Sequence, residues 1–531
     1  MNRLLPVGFL ILFLQGGFVF GQIGTFEQSL KIGKILDLVN NYYVDTVNQE
    51  KLVEGTIIKM LQELDPHSVY IPRDEVKEMN EPLQGNFEGI GIQFNILFDT
   101  ILVISPVPGG PSEKVGIQAG DRIVEIEGEN VAGTGMTTGK VRERLLGEKG
   151  TKVSVKVKRK RTKEWLDFTI TRDRIPINSL DAAYIVDDRI GYIKLNRFSF
   201  TTLREFNRAI DELQKQNITD LILDLRNNGG GYMEIAVHLA DQFLPDKKLI
   251  VYMKGENVPK KEYLATAAGK MESGRLVILI DEGSASASEI VAGAIQDWDR
   301  GIILGRRSFG KGLVQRPFTL TDGSMIRLTI ARYYTPTGRL IQKPYDDGFD
   351  KYIRDLTDRY QNGELNSVDS IRFPDSLKYR TLIKNRIVYG GGGIMPDLFV
   401  ALDTSGYSNY YRKLSSRGII NSFTLDYVDK NREALTKKYT DFQKFKQEFD
   451  VTDAMLENLT ELALKEGVEH VPEDFEISKS QIKLIIKGLI ARDIWDMSEF
   501  YEVVNTEDPA YQKAVLILNN NDEYLSKLEG D

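Results

Sequence analysis

Four short apolar segments separated by amphipathic stretches dominate the middle of the chain. They read GYIKLNRF, LILDLR, LVILID and GIILG, and they begin at residues 191, 221, 276 and 301. Helical patterns lie between them, at 202–215, 232–243 and 287–298. Strands that alternate with helices in this way favour an α/β core in which helices cover a sheet.

The length of the chain, 531 residues, is too great for one hydrophobic core, so we expect several domains. Helical periodicity in residues 22–84 predicts an N-terminal helical subdomain, and short alternating runs in residues 85–174 predict a mostly-β unit. The α/β core follows at residues 175–400, with a polar, irregular insertion at about 343–388. Residues 401–531 are expected to be helical, because their apolar residues recur at helical spacing.

The N-terminal residues 1–21 resemble a secretory signal peptide, because Arg3 precedes an apolar stretch that small residues follow. We therefore expect an exported protein, periplasmic or otherwise extracytoplasmic. The alternative is an uncleaved anchor that keeps the protein at the membrane. Gln15, Gly16 and Gly17 disfavour it, since they interrupt the apolar run short of the roughly 20 residues that a membrane span needs.

Composition excludes several classes of function. The chain has no cysteine, which removes disulfides, thiol catalysis and thiolate metal sites. The formal net charge is -8, and the one dense basic run, residues 156–163, begins by alternating with valines, as on the exposed face of a strand. No nucleic acid partner is therefore expected. A transporter or channel is excluded because the sequence has a single long apolar segment.

The sequence LVILIDEGSASASEIVAG places a strand, a tight turn of small residues and a helix in succession. A serine in such a turn exposes its hydroxyl, and the first free N–H groups of the helix can stabilise an oxyanion. Ser286, in the middle of the turn, is the candidate nucleophile. The alternative is that Ser284, Ser286 and Ser288 are only helix caps and small packing residues.

A nucleophilic serine needs a general base, and the histidines of this chain are poorly placed for that role. They are His67, His238 and His470. Lysine can serve if burial lowers its pKa, because only the neutral amine accepts a proton. Lys311 lies between two glycines in the apolar run SFGKGLV, and Gln315 follows four residues later on the same face of a strand. Its amide could hold the amine of Lys311.

The same lysine also fits a different motif, because Gly305, Gly310 and Lys311 have the spacing of a phosphate loop. Such a loop needs Ser or Thr at the next position and then a helix. Gly312 occupies that position here and a strand pattern follows, so the nucleotide-binding interpretation is disfavoured.

A second glycine cluster, in LILDLRNNGGGY, follows the strand that begins at residue 221. It could be an ordinary strand-to-helix turn. Alternatively, glycines allow backbone N–H groups to approach a substrate carbonyl closely. Gly229 or Gly230 could then supply one half of an oxyanion hole and Ala287 the other half.

The segments FEGIGIQF, GDRIVEIEG, DLRNNGGG, GSASASEIVAGAIQD and SFGKGLVQ, in this order, resemble the C-terminal processing peptidase (tail-specific protease) family. The resemblance runs from about Leu64 to Val400. It implies an α/β serine protease core with an inserted PDZ domain at 85–174. It also implies that Ser286 is the nucleophile, that Lys311 is its base and that Gln315 orients the lysine, with Asp297 as structural support.

The resemblance assigns a peptide-binding role to two parts of the PDZ unit. Backbone N–H groups of its GIGI loop would bind the terminal carboxylate of a peptide, which extends the strand by β-addition. The loop residues are Gly89, Ile90, Gly91 and Ile92. The side-chain pocket would be lined by Val141 and Leu145.

Together these features predict an endopeptidase that cleaves exported proteins at or near apolar C-terminal tails, with no metal or organic cofactor. The departures from the family, residues 343–388 and those after 400, have no role that the sequence reveals. An adaptor protein and an oligomeric state are left open. The rival hypothesis from another class is a catalytically silent scaffold that binds C-terminal tails through its PDZ unit.

Overall fold

The structure is a computed structural model that describes the backbone of residues 16–529, apart from 161 and 163, and the side chains from residue 26 onward. Residues 1–15, which contain most of the expected export signal, lie outside the described residues. The chain divides into two compact units, one of residues 1–72 with 317–328 and the other of residues 73–316 with 329–531.

The first unit is mainly helical in its N-terminal part. Its elements before residue 72 are α1 (Gly16–Tyr42), α2 (Gln49–Gln62) and β1 (Val69–Ile71). The side chain of Asn48 caps α2 by accepting the N–H of Lys51. Residues 69–71 pair antiparallel with residues 325–327, a strand contact with a distant part of the chain that the helical periodicity of 22–84 did not predict.

The second unit begins with the mostly-β domain. Its elements are α3 (Arg73–Gln84), β2 (Asn86–Gly89), β3 (Ile92–Leu97), β4 (Thr100–Pro106), α4 (Pro111–Val115), β5 (Arg122–Ile126), β6 (Glu129–Asn130), α5 (Thr138–Leu145), β7 (Lys152–Lys158), β8 (Leu166–Thr171) and β9 (Asp173–Pro176). The sheet order is β3-β4-β5-β7-β8, all antiparallel, so β3 is an edge strand. Strands β2 and β9 pair where the chain enters and leaves this domain.

The α/β core follows directly. Its first elements are β10 (Leu180–Ile185), β11 (Ile190–Leu195), α6 (Thr202–Gln214), β12 (Asp220–Asp224), α7 (Met233–Asp241), β13 (Leu249–Lys254), β14 (Lys261–Leu264), β15 (Leu276–Ile280), α8 (Ala287–Asp297) and β16 (Ile302–Gly305). After the lysine loop come β17 (Leu313–Thr319), β18 (Met325–Tyr334), α9 (Phe349–Gln361), β19 (Lys378–Arg380), β20 (Ile387–Tyr389) and β21 (Leu398–Phe399). The helix α9 and the hairpin β19–β20 belong to the predicted insertion.

The main sheet has the order β10-β11-β12-β15-β16-β21, in which every neighbouring pair except β10–β11 is parallel. Consecutive residues of these strands point to opposite faces, so both faces must be covered. Leu223 and Ile278 pack with α6, α7 and α8, while Ile222 and Val277 pack in a separate cluster on the opposite face. The carboxyl ends of the parallel strands carry the loops in which the sequence placed its candidate residues.

The chain after residue 400 contributes helices to both a separate core and the main sheet. The helices are α10 (Asn409–Ser416), α11 (Ile419–Lys438), α12 (Phe442–Glu448), α13 (Asp453–Lys465), α14 (Pro472–Ile494), α15 (Met497–Val504), α16 (Pro509–Asn519) and α17 (Asn521–Glu529). Residues of α10–α15 form a core of their own. By contrast, Ala514 and Ile517 of α16 and Leu528 of α17 pack on the main sheet. The last two helices therefore complete the α/β core, although their sequence grouped them with the helical region.

No helix within the described part of the chain is both long and apolar enough to cross a membrane.

Candidate active site

Ser286 lies at the sharp turn between β15 and α8. Its backbone dihedral angles are φ 54° and ψ -108°, a left-handed conformation that costs a non-glycine residue about 1–3 kcal/mol. The residue is half-buried and its neighbours Ala285 and Ala287 are buried. A strained serine between a strand and a helix is the geometry of a nucleophile elbow, in which the turn presents the hydroxyl.

Lys311 lies in a loop between β16 and β17, in the segment 308–312 that we call the lysine loop. Its Nζ donates a hydrogen bond to Oε1 of Gln315 at 3.1 Å, the contact for which the sequence spacing argued. Lys311 is half-buried, whereas Gly310 and Gly312 on either side are buried. Residues 313–319 form a strand rather than a helix, which contradicts the phosphate-loop alternative.

Glu289, one turn into α8, connects the two loops, and sequence reasoning did not single it out. Oε2 of its carboxylate accepts the N–H of Ser286 at 2.7 Å and the N–H of Lys311 at 2.9 Å. Oε1 accepts the N–H of Gly310 at 2.7 Å and the hydroxyl of Ser308 at 2.5 Å. The side chain is fully buried, and this burial raises the pKa of the Glu289 carboxyl, while its hydrogen bonds act in the opposite direction.

The sequence contained a signal for Glu289 that could have been used. Ser286 and Glu289 have the S-x-x-E spacing of a capping box, in which the glutamate reaches back to the N–H at the start of the helix. What the spacing could not reveal is that the same carboxylate also binds a loop more than twenty residues later in the chain.

Tyr333 makes a second connection between the serine turn and the lysine loop. Its hydroxyl lies 3.0 Å from the carbonyl oxygen of Ser286 and 2.5 Å from that of Lys311, so its single proton can be donated to either. The side chain is buried, and burial together with the nearby Glu289 raises the pKa of the Tyr333 hydroxyl well above its usual value. The tyrosine therefore stays neutral and able to donate.

The predicted oxyanion donors come together at the serine turn. A Cβ on Gly230 would lie 2.9 Å from Cβ of Ser286 and 3.0 Å from the nitrogen of Ala287, so the glycine backbone closely approaches the nucleophile. The Gly230 N–H donates to Oδ1 of Asn228 at 2.9 Å. The N–H groups of the other two predicted donors, Gly229 and Ala287, bond to no acceptor within the described residues.

Asn228 holds the glycine loop against the serine turn and was another residue that the sequence did not indicate. Its Nδ2 donates to the carbonyl of Leu195 at 2.9 Å, which fixes the loop to strand β11. Its own carbonyl accepts the N–H of Ala285 at 3.0 Å and the hydroxyl of Ser288 at 2.9 Å. The two halves of the predicted oxyanion site are thus connected directly.

Asp297, at the end of α8, lies away from these contacts in a fully buried ion pair with Arg339. Its second oxygen accepts the N–H of Thr337 at 2.9 Å and the Thr337 hydroxyl at 2.7 Å. These bonds hold the segment after β18, where Gln342 accepts the N–H of Gly312 at 2.8 Å. The contacts of Asp297 are those of a structural support.

In the mostly-β domain, some of the predicted peptide-binding residues lie at the edge of the sheet and others lie in the hydrophobic core. Ile92 begins β3, whose outer edge pairs with no other strand of the described domain, although helix α11 also contacts this strand. Gly89 ends β2 and Gly91 has φ 72°. Ile90, Val141 and Leu145 are buried in the hydrophobic core of this domain. A side-chain pocket lined by Val141 and Leu145 stays a prediction.

The structure also places two of the three histidines that the sequence analysis set aside. His238 is exposed on α7, and His470 packs against Tyr410 in the separate core of the C-terminal helices. No group of three or more His, Asp and Glu side chains is arranged to bind a metal ion in the part of the chain that the structure describes.

Comparison with known proteins agrees with this architecture. Residues 189–350 match peptidase family S41 and residues 102–159 match the PDZ domain. The carboxy-terminal-processing protease of Bartonella bacilliformis is 36% identical over 323 residues, which are 60% of this chain and 73% of that protein. This chain belongs to the carboxy-terminal processing protease family. Family membership confirms the resemblance drawn from the motifs and the α/β core with an inserted PDZ domain.

The chain covers a different share of two other proteins of this kind. Carboxy-terminal processing protease CtpB of Bacillus subtilis is 37% identical over 316 residues, 59% of this chain and 65% of that relative, slightly under two thirds. Residues 21–75 match the N-terminal domain of the activating protease CtpB, and residues 410–496 match a family of unknown function. A solved structure of photosystem II D1 C-terminal processing protease is 31% identical and covers 58% of this chain and 89% of its own, with a TM-score of 0.33.

Proposed function

We propose that this protein is an exported serine endopeptidase that cleaves other exported proteins at or near their C-terminal tails. In this proposal Ser286 is the nucleophile, Lys311 is the general base and Gln315 holds the amine of the lysine. One observation carries the proposal most strongly. Glu289 and Tyr333 both form hydrogen bonds with the backbone of Ser286 and of Lys311. The strained serine turn and the lysine loop are therefore held together by the same two side chains.

The reaction would proceed through an acyl-enzyme. Oγ of Ser286 attacks the scissile carbonyl carbon while its proton passes to the neutral amine of Lys311. The N–H groups of Gly229 and Ala287 stabilise the oxyanion that forms. When the C–N bond breaks, the Lys311 ammonium gives its proton to the leaving amine. Lys311 then takes a proton from a water whose oxygen attacks the Ser286 ester. As the ester C–O bond breaks, the Lys311 ammonium returns this proton to Oγ of Ser286, which regenerates the enzyme.

Substrate selection is proposed to begin at the PDZ domain, because β3 is the end strand of its sheet and an extended peptide can add to such a strand. Substrates with apolar C-terminal residues fit this mode. Export to the periplasm or another extracytoplasmic compartment remains a proposal based on residues 1–21, as does membrane association through the same segment if it is retained.

The proposal can be tested by incubating the purified protein, with a metal chelator present, with an unfolded protein that ends in an apolar tail. Wild type should cleave it, whereas Ser286→Ala and Lys311→Ala should lose activity by about 10³-fold or more. Ser273→Ala and Lys215→Ala, at exposed positions, serve as controls. If none of the proteins cleaves the substrate but the tail still binds, the silent scaffold replaces the protease.

A further inference from the structure

The insertion at 343–388, whose role the sequence does not reveal, contains a helix that contacts the lysine loop directly. The contact is made by Arg359 near the end of α9, whose side chain is 2% exposed. Its Nη1 donates to the carbonyl of Ser308 at 2.8 Å and its Nη2 to the carbonyl of Phe309 at 3.1 Å. One guanidinium therefore binds two successive carbonyls immediately before Gly310 and Lys311.

The arginine is itself held in place from the insertion side. Asp355, one turn earlier in α9, lies 3.0 Å from Nε of Arg359 and accepts Nζ of Lys343 at 2.9 Å. The backbone N–H of Lys343 in turn donates to the carbonyl of Gly310 at 2.9 Å. The ring of Tyr352 meets the ring of Phe309 edge-on, with 6.1 Å between centroids. Both ends of α9 are thus connected to the lysine loop.

Burying a charged guanidinium costs desolvation free energy unless hydrogen-bond acceptors bind its N–H groups. An apolar side chain would pack the helix against the loop without this cost. Arginine differs from lysine in that its planar fork can bind two acceptors at a fixed separation. The lysine loop has its carbonyls bound by Arg359 on one side and its N–H groups bound by Glu289 on the other. These contacts leave the loop little freedom to move.

We propose that Arg359 is a positioning residue that fixes the backbone of the lysine loop and thereby the amine of Lys311. The inserted helix α9 then contributes to the geometry of the active site through Arg359. The inference rests on the proposed function of Lys311 as general base. Arg359 acts through the loop and does not contact the substrate.

The kinetic test compares Arg359→Met, which keeps an unbranched side chain but has no N–H donors and so loses both hydrogen bonds, with Arg359→Lys, whose amine can keep one. Misplacing the base should lower kcat by about 10–100-fold for Arg359→Met while KM changes by less than about twofold. Arg359→Lys should recover part of the loss. Arg354→Met is the matched control, because Arg354 is exposed on the same helix and its Nε donates to the carbonyl of Asp350 within that helix.

Hydrogen exchange of the backbone amides provides a readout that does not depend on cleavage. Exchange at residues 309–312 should rise in Arg359→Met and stay at the wild-type level in Arg354→Met. An inactive wild type would defeat the proposed function, and exchange would still decide the role of Arg359. The inference would be wrong if Arg359→Met changed neither exchange nor kcat, or if Arg354→Met lost as much activity as Arg359→Met. Cleavage by wild type would still support the protease function in either case.

Discussion

The carboxylate of Glu289, in the first turn of α8, accepts the backbone N–H of Lys311, in the lysine loop, at 2.9 Å. The same oxygen accepts the N–H of Ser286 at 2.7 Å. A single buried group thus sets the distance between the backbones of the proposed nucleophile and the proposed base. The geometry of the pair depends on this carboxylate, which takes no part in the proton transfers themselves.

Replacing Glu289 tests whether its carboxylate is needed to hold the backbones of Ser286 and Lys311 in place. Glu289→Gln keeps the shape of the side chain, but its NH₂ group faces backbone donors that need an acceptor. We expect kcat to fall by about 100-fold or more and the free energy of unfolding to fall by about 1–3 kcal/mol. Proteolysis assays and denaturant unfolding measure the two effects. The control is Glu282→Gln, which removes a partner of Arg306 in the same turn; equal losses in both variants would contradict the prediction.

The buried carboxyl of Glu289 should also make the free energy of unfolding depend on pH. Burial raises its pKa, so the folded protein binds this proton at a higher pH than the unfolded chain does. The contribution to the free energy of unfolding is therefore largest below the unfolded pKa and is lost as pH rises through the folded pKa. Relative to Glu289→Gln, wild type should lose stability as pH rises above the ordinary glutamate pKa of about 4.3. Denaturant unfolding at several pH values tests this; a difference that grows in the opposite direction would refute it.

The adjacent glycines of the oxyanion loop should respond differently to the same substitution. Gly230 has φ +98°, and an added Cβ would lie 2.8 Å from the carbonyl oxygen of Ala285. Gly230→Ala should therefore destabilise the protein by about 2 kcal/mol or more and abolish cleavage. An added Cβ at Gly229 meets nothing within 4 Å, and Gly229→Ala keeps the backbone N–H. Activity of Gly229→Ala should stay within a few-fold of wild type, as measured by kcat/KM. A larger loss in Gly229→Ala than in Gly230→Ala would show that the loop is arranged differently.

The C-terminal helices should contribute to the stability of the catalytic core through Asp508. Its carboxylate accepts both Nη1 bonds from Arg226, at 2.8 and 2.9 Å, and caps α16 by accepting the N–H of Tyr511. Arg226 also binds the buried Asp224 at the end of strand β12. Because the Asp508 side chain is 29% exposed, Asp508→Asn should lower the free energy of unfolding by about 1–2 kcal/mol.

The matched control for that variant is Glu507→Gln, since Glu507 is exposed beside Asp508. Thermal or denaturant unfolding of the full chain makes the comparison. If Asp508→Asn and Glu507→Gln have the same stability, the ion pair with Arg226 contributes nothing measurable.

Sequence patterns alone predict the α/β class, the strand-turn-helix that carries Ser286 and the spacing of Lys311 and Gln315. Each of these is a local pattern, because periodicity and turn chemistry act over a few residues. The capping-box spacing also pointed to Glu289, although only in its local role at the start of α8.

The groups that connect these local elements can be identified only in the folded chain. Glu289 binds a loop more than twenty residues away, Tyr333 reaches it from β18, and Arg359 reaches it from the insertion. Likewise, no local pattern separates α16 and α17, which cover the main sheet, from α10–α15, which form their own core. The physical reason is that side-chain hydrogen bonds and burial depend on which surfaces meet in three dimensions, and periodicity reports only that a face is apolar.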